Sequence, residues 1–319
     1  MISIKRILRT LPAALGLTFF AIILQAAGGP AAVPRSVSGD SSAYLRYVHP
    51  TVREPFTDGV SLAVPAELGD PRSAALGLVD VTKASFNADP TGARDATVAV
   101  QQAINFARDH QMVCFFPPGT YRVSDTLECV EQLYQRANGR VFGAPLWPCL
   151  LVGSRAAAAR PRILLAPNSP GFGDPRQPKY VVHFWARGYA NPTPADRVTD
   201  GRGPEQEQPN ISMNQMFVNL DIVIGEGNAG AVALRHQAAE GSAIKDCTID
   251  ATHGLTGIEG GIGSGGSSAG VTVLGGRVGL DFRTMQPTPV ITGFTLIGQT
   301  ETAIRYSGRQ TLAAVGRTG

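Results

Sequence analysis

The sequence predicts an all-β chain wound into a parallel β-solenoid, and three observations carry that prediction. Gly (37) and Pro (23) are abundant among the 319 residues while charged residues make up only 17%, a composition suited to many short strands joined by turns. From Met216 onward four segments resemble one another: NLDIVIG from Asn219, KDCTIDA from Lys245, AGVTVLGG from Ala269 and TGFTLIGQ from Thr292. Each is followed by a second short strand pattern: AVALR from Ala231, GIEG from Gly257, VGLDF from Val278 and TAIRY from Thr302. Aligning Ile222, Cys247, Val271 and Phe294 gives spacings of 25, 24 and 23 residues. A period in the low twenties with paired strands and Gly-rich turns is that of coils stacked on one another, with those four residues pointing into a shared core. A β-sandwich also spaces its strands evenly, but it does not repeat them in matched pairs.

The elements follow in chain order. Lys5, Arg6 and Arg9 precede an apolar stretch from Leu11 to Leu24, and small residues follow at Ala26 to Gly29. That is the layout of an export signal, expected over 1–28 and removed on secretion or transfer to a periplasm. The alternative is a retained anchor, but the apolar run is short and interrupted by Pro12 and Gly16, so no stable membrane insertion is expected after cleavage. Residues 29–75 are rich in Pro, Ser, Ala and Gly and read as a linker. The solenoid is expected over 76–319, opening with a strand in LGLVDV from Leu76. Ala96 to His110 places Val100, Ala103, Ile104 and Ala107 at helical spacing, with Asp95 or Thr97 as the cap. Strands follow at Met112 to Phe116, from Tyr121, at Pro161 to Ala166 and at Tyr180 to Trp185. Arg187 to Pro209 is long, polar and Pro-rich, a surface excursion or a loop at the mouth of a site.

The net charge of +3 and the lack of a basic stripe with interleaved aromatics argue against nucleic acid as a partner. Of the cysteines, Cys129 and Cys149 flank a loop-like stretch and are the best candidates for a disulfide in an exported chain. Cys114 and Cys247 lie in apolar strand patterns and read as buried thiols. No Cys/His cluster has metal-ligand spacing, the five histidines are scattered, and no cofactor or metal is expected.

The segment from Asp80 to Leu127 resembles the N-terminal motif of the pectate-lyase-like superfamily. The carrying residues are NADPTGARDATVAVQQAINFA and CFFPPGTYRVSDTL, and FPPGTY is the most specific piece. The resemblance implies a right-handed parallel β-helix with an N-terminal α-helix capping the open end of its core. ILLAPNSPGF (Ile163 to Phe172), NQMFVNLDIVIG (Asn214 to Gly225) and GSGGSSAGVTVLGGRVGLDF (Gly263 to Phe282) are similar to family 55 glycoside hydrolases, β-1,3-glucanases with two β-helix domains. That likeness implies a polysaccharide substrate or ligand, and a catalytic acid supplied by a second domain. With Gly319 ending a tail that has no visible cap, the β-helix is expected to be incomplete at its C-terminus.

The same resemblance places Gln237 and Ser264 as water-positioning groups; the bland alternative is a surface amide and a Gly-rich turn. Asp221 and Asp246, assigned to equivalent positions on successive coils, are alternative carboxylates, since stacked strands about 4.8 Å apart could perturb one another's protonation. Asp residues flanking strands also commonly bond turn backbones. A calcium-dependent lyase would draw on Asp221, Asp246 and Arg235, which form no clear cluster in the sequence. Trp185, Tyr189 and Trp147 sit near loops where they could stack on sugar rings or pack coil corners. The expected activity is a polysaccharide glycoside hydrolase of the β-1,3-glucanase kind, or the N-terminal part of one. The alternatives are a pectin-type hydrolase or lyase and a non-catalytic glycan-binding or structural β-helix.

Overall fold

The computed structural model describes residues 77–83, 86–131, 134–135, 141–142, 148–188, 206–207, 211–263, 265–283, 290–307 and 311–316. The expected export signal and linker lie outside them. The fold is a right-handed parallel β-helix, the hand that parallel crossovers take. Among the described residues the ladders form a thirteen-stranded and a seven-stranded sheet, with a short separate pair. Each coil contributes two short arms to the first sheet and one strand to the second.

One coil shows the plan. Ala243–Ala251 supplies both arms of the first sheet, with a corner at Asp246, and Thr256–Glu259 supplies the strand of the second. The next coil repeats it with Ser267–Gly275 and Val278–Asp281, paired in parallel register Cys247 to Val271 and Ile258 to Leu280. The corner requires a left-handed backbone, and successive coils place Asn219 (φ 51°), Asp246 (φ 53°), Gly270 (φ 64°) and Gly293 (φ 60°) there. Asn219 also ties its corner to the coil below, donating from Nδ2 to the carbonyls of Gly153 (3.0 Å) and Ser154 (2.9 Å). That proximity fixes residue 153 as glycine, because a Cβ there would overlap the Asn219 carbonyl oxygen. Gly153→Ala is therefore expected to cost about 1–3 kcal/mol, the usual penalty for overpacking, read as a lower urea midpoint with an unchanged slope.

The interior is one continuous apolar core. Ile163, Ile222 and Ile249 stack in register across three coils, and Cys247, Val271 and Phe294 form the neighbouring column. This corrects the sequence alignment at one point. Ile222 pairs with Ile249, not Cys247. Leu220, fully buried two residues earlier, lies in the arm that faces Cys247. A slip of two residues keeps the same face inward, so hydrophobicity alone cannot detect it.

The helix Thr97–Asp109 buries Val100, Ala103, Ile104 and Ala107. Its N-cap is Ala96, and Asp95 accepts from the Thr97 N–H at 2.8 Å. It lies where a preceding strand of the second sheet would lie, and its side chains replace that strand's ladder. Gln101 donates from Nε2 to the Glu128 carbonyl (2.9 Å) and accepts the Glu128 N–H on Oε1 (2.8 Å), while Arg108 donates to the Val130 carbonyl (3.2 Å). The edge strand Leu127–Glu131 is thus covered and its backbone groups partnered. No helix of the described residues is long and apolar enough to cross a membrane.

All the cysteines are free and buried. Cys129 and Cys149 stand as neighbouring thiols in the core rather than as the expected disulfide. The Cys149 Sγ lies 3.8 Å from the Val130 carbonyl, and burial together with the adjacent Cys149 thiol pushes the Cys129 thiol's pKa well up.

Candidate functional site

The second sheet carries the most concentrated polar chemistry. Six of its seven strands, Leu127–Glu131, Lys179–Gly188, Ala231–His236, Thr256–Glu259, Val278–Asp281 and Thr302–Arg305, run in parallel along the axis, and the seventh is the short antiparallel Gln206–Glu207. Two of these strands, Lys179–Gly188 and Ala231–His236, turn adjacent residues into the core. Val181 and Val182 both join the core, as do Ala233 and Leu234, so His183 and Arg235, which follow these pairs, lie on the other side of the strand from the core. The position after the inward aliphatic residue is polar on each of these six strands, running Glu128, His183, Arg235, Glu259, Asp281 and Arg305 in register, and His183, Arg235 and Asp281 are themselves less than a tenth exposed beneath their neighbours.

At the helix-capped end, Glu128 faces His183 and Trp185. Its Oε2 accepts from Trp185 Nε1 at 2.8 Å and lies 3.2 Å from His183 Nδ1. The Glu128 side chain is 44% exposed, so this carboxylate is open to solvent while its partners hold it from below. The Tyr180 ring packs 4.6 Å from the imidazole and 5.2 Å from the Arg235 guanidinium, a cation–π contact. Arg235 pairs with Glu259 and donates to Gln237 Oε1 at 3.0 Å. Further along, burial works to raise the Asp281 pKa, but hydrogen bonds from Arg283 and the charges of Arg283 and Arg305 outweigh it and hold the carboxyl below the usual range.

Of the residues singled out from the sequence, Trp185, Gln237 and Arg235 fall on this face. Trp185 is 8% exposed, so its indole N–H serves Glu128 more than its ring serves solvent. Ser264, Tyr189 and Trp147 lie outside the described residues. Asp221 and Asp246 are on the first sheet and are not equivalent. Asp246 occupies the left-handed corner and pairs with Arg155 at 2.8 Å. Asp221 opens the strand Asp221–Ile224, accepting from Arg160 Nε (2.7 Å) and the Thr248 N–H (2.6 Å). Each carboxylate is neutralised by its own arginine, and neither joins Arg235 in a ligand set. No group of three metal-ligating side chains forms among the described residues.

Gln206–Glu207 pairs antiparallel with Arg187–Gly188. That pairing lies at the end of the strand that carries His183 and Trp185, while the rest of the Pro-rich stretch lies outside the described residues. Sequence reading missed Glu128, His183, Tyr180 and Glu259. The signal was present in the segments quoted above, where AVALR, GIEG, VGLDF and TAIRY each place a charged residue just after the inward aliphatic one.

Residues 79–165 match the family described as rhamnogalacturonase A/epimerase, pectate lyase-like. The match supports the pectate-lyase-like superfamily and a carbohydrate-active protein. No curated protein matches the chain. Among solved structures, the crystal structure of the Agl-KA catalytic domain is 13% identical, with a TM-score of 0.24 over 69% of this chain and 47% of that one. Geobacillus virus E2 ORF18 is 14% identical, with a TM-score of 0.23 over 82% of this chain and 63% of that one. The chain spans less than two thirds of the length of either.

Proposed function

We propose that this chain binds a polysaccharide along the outward face of the second sheet and hydrolyses its glycosidic bonds there, as an exported β-1,3-glucanase-like enzyme or the N-terminal part of one. The observation that carries the reading is the register of Glu128, His183, Arg235 and Glu259, with Tyr180 and Trp185 beside them, on one face of a solenoid. A solenoid presents such a face as a straight track, which suits an extended chain ligand. Glu128, opposite His183 Nδ1 and held by the Trp185 N–H, orients the imidazole, an arrangement fit for acid–base work. Export rests on the basic and apolar pattern of residues 1–28.

Release of reducing ends from β-1,3-glucan, with binding followed in parallel, tests the reading. Glu128→Gln keeps the shape and loses the charge. It is expected to lower turnover by about 100-fold or more while leaving glycan affinity within a few-fold. Wild-type activity in Glu128→Gln would remove this carboxylate from the chemistry. Binding without turnover in the wild type would make the chain a glycan-binding module.

A pectin-type substrate is the second reading. It is favoured by the family matched at residues 79–165 and by the guanidinium of Arg235 on the track. Release from polygalacturonate or rhamnogalacturonan in place of β-1,3-glucan would select it.

A further inference from the structure

Beside the segment 212–215, where second-sheet strands hand the chain back to the first sheet, the continuous apolar core gives way to buried polar side chains. Glu131, Ser212, Gln215 and His236 are all 0% exposed there, and Ser242 is 1% exposed. The residues around them are small. Ala186, in register with Glu131, is buried but stands outside the continuous apolar core, as do Ala238, Ala239 and Ala243. Gln215 ties the group together. Its Oε1 accepts the Cys149 N–H (3.4 Å), and its Nε2 donates to Ser212 Oγ (2.8 Å) and to the Trp185 carbonyl (3.3 Å). Its own N–H donates to Ser242 Oγ (3.1 Å), and the Met213 N–H donates to Glu131 Oε2 (3.3 Å).

Three polar atoms of this group have no hydrogen-bond partner among the described residues: Glu131 Oε1 and both ring nitrogens of His236. The carbonyls of Gln215 and of His236 itself lie beside the ring without completing bonds of normal geometry. A neutral carboxyl offers a donor and acceptors, and a neutral imidazole offers one of each. Buried groups of this kind are almost always satisfied, and a site lined by several of them beside small side chains is where an internal water is held.

We infer that the solenoid encloses a hydration site, with ordered water bonded to Glu131 Oε1 and to a His236 ring nitrogen between the second-sheet strands and the segment 212–215. Through the Gln215 bond to the Trp185 carbonyl, this wet plug braces the back of the strand whose front carries His183 and Trp185. The inference does not depend on what the outer face binds. Burial itself drives both groups toward their neutral forms, pushing the Glu131 pKa up to about 10 and the His236 pKa down to about 3.

A crystal structure of the full chain at about 1.5 Å resolution, where ordered internal waters are visible, tests the site. Water density on Glu131 Oε1 and on a His236 nitrogen is the expected result. Protein partners on these atoms, an empty interior, or density of a larger molecule would overturn it. Water-oxygen relaxation dispersion in solution gives an independent reading. Glu131→Leu and His236→Phe are each expected to lose a long-lived water that the wild type retains. An unchanged count in both variants would contradict the site, and the wild-type measurement stands even where a variant fails to fold.

Discussion

Ile222→Asp is expected to leave no folded protein at 25 °C. Ile222 is fully buried and in register with Ile163 and Ile249, in the middle of the stack. A carboxylate there has no partner and cannot reach water, so it must ionise at high cost or stay protonated at a cost of several kcal/mol. That is comparable with the roughly 5–15 kcal/mol total stability of an ordinary domain. Phe294→Asp makes the same chemical change but in a later coil, beyond Val271. Coils depend on their nearest neighbours, so damage there spreads less far. The expected result is a folded protein in which Val290–Thr292 and Thr302–Arg305 exchange their amide hydrogens quickly while Ala243–Ala251 remains protected. Circular dichroism and hydrogen exchange check both, and equal loss in the two variants would contradict a stack of semi-independent coils.

Stability is expected to plateau between about pH 4.5 and 6.5 and to fall on either side. Burial raises the Glu131 pKa from its usual 4.5 to about 10 and lowers that of His236 from its usual 6.5 to about 3. For Glu131, the unfolded chain gives up its proton above pH 4.5 while the folded chain keeps it. The unfolded state then binds fewer protons, and stability declines as pH rises toward 10. His236 has the opposite sign. Between pH 3 and 6.5 the unfolded chain binds a proton that the folded chain refuses, so stability declines as pH falls. Between pH 4.5 and 6.5 the two slopes cancel. Each group alone contributes a slope of at most about 1.4 kcal/mol per pH unit. Glu131→Gln is expected to remove the alkaline decline and His236→Phe the acidic one. Urea unfolding at stepped pH measures this, and parallel profiles for wild type and Glu131→Gln above pH 6.5 would count against a buried neutral carboxyl.

How much of this was legible in the sequence depended on whether the signal was periodic. The solenoid was legible because its coils repeat, and because Cys247, Val271 and Phe294 fall on one inward column. The capping helix was legible from the spacing of Val100, Ala103, Ile104 and Ala107. The Ile222 register was not, because Leu220 and Ile222 face the same way and either satisfies an inward position. That slip made Asp221 and Asp246 look equivalent, when one is a strand residue and the other a corner residue. The polar track was legible in principle, since each second strand ends on a charge at the same offset. Its meaning needed the adjacent inward pair Val181 and Val182, which decides what lies away from the core. Glu131 and His236 gave no sequence signal, because burial of a polar side chain is set by what folds over it.

The central claim is that the outward face of the second sheet is where glycan binds. Hydrogen–deuterium exchange with and without a β-1,3-gluco-oligosaccharide, and in parallel with an oligogalacturonide, tests it most directly. The account predicts that one of the two slows exchange in Leu127–Glu131, Lys179–Gly188 and Ala231–His236, and leaves the first-sheet arm Asp221–Ile224 unchanged. Protection confined to the first sheet, around Asp221 and Thr248, would contradict it, as would no protection by either sugar.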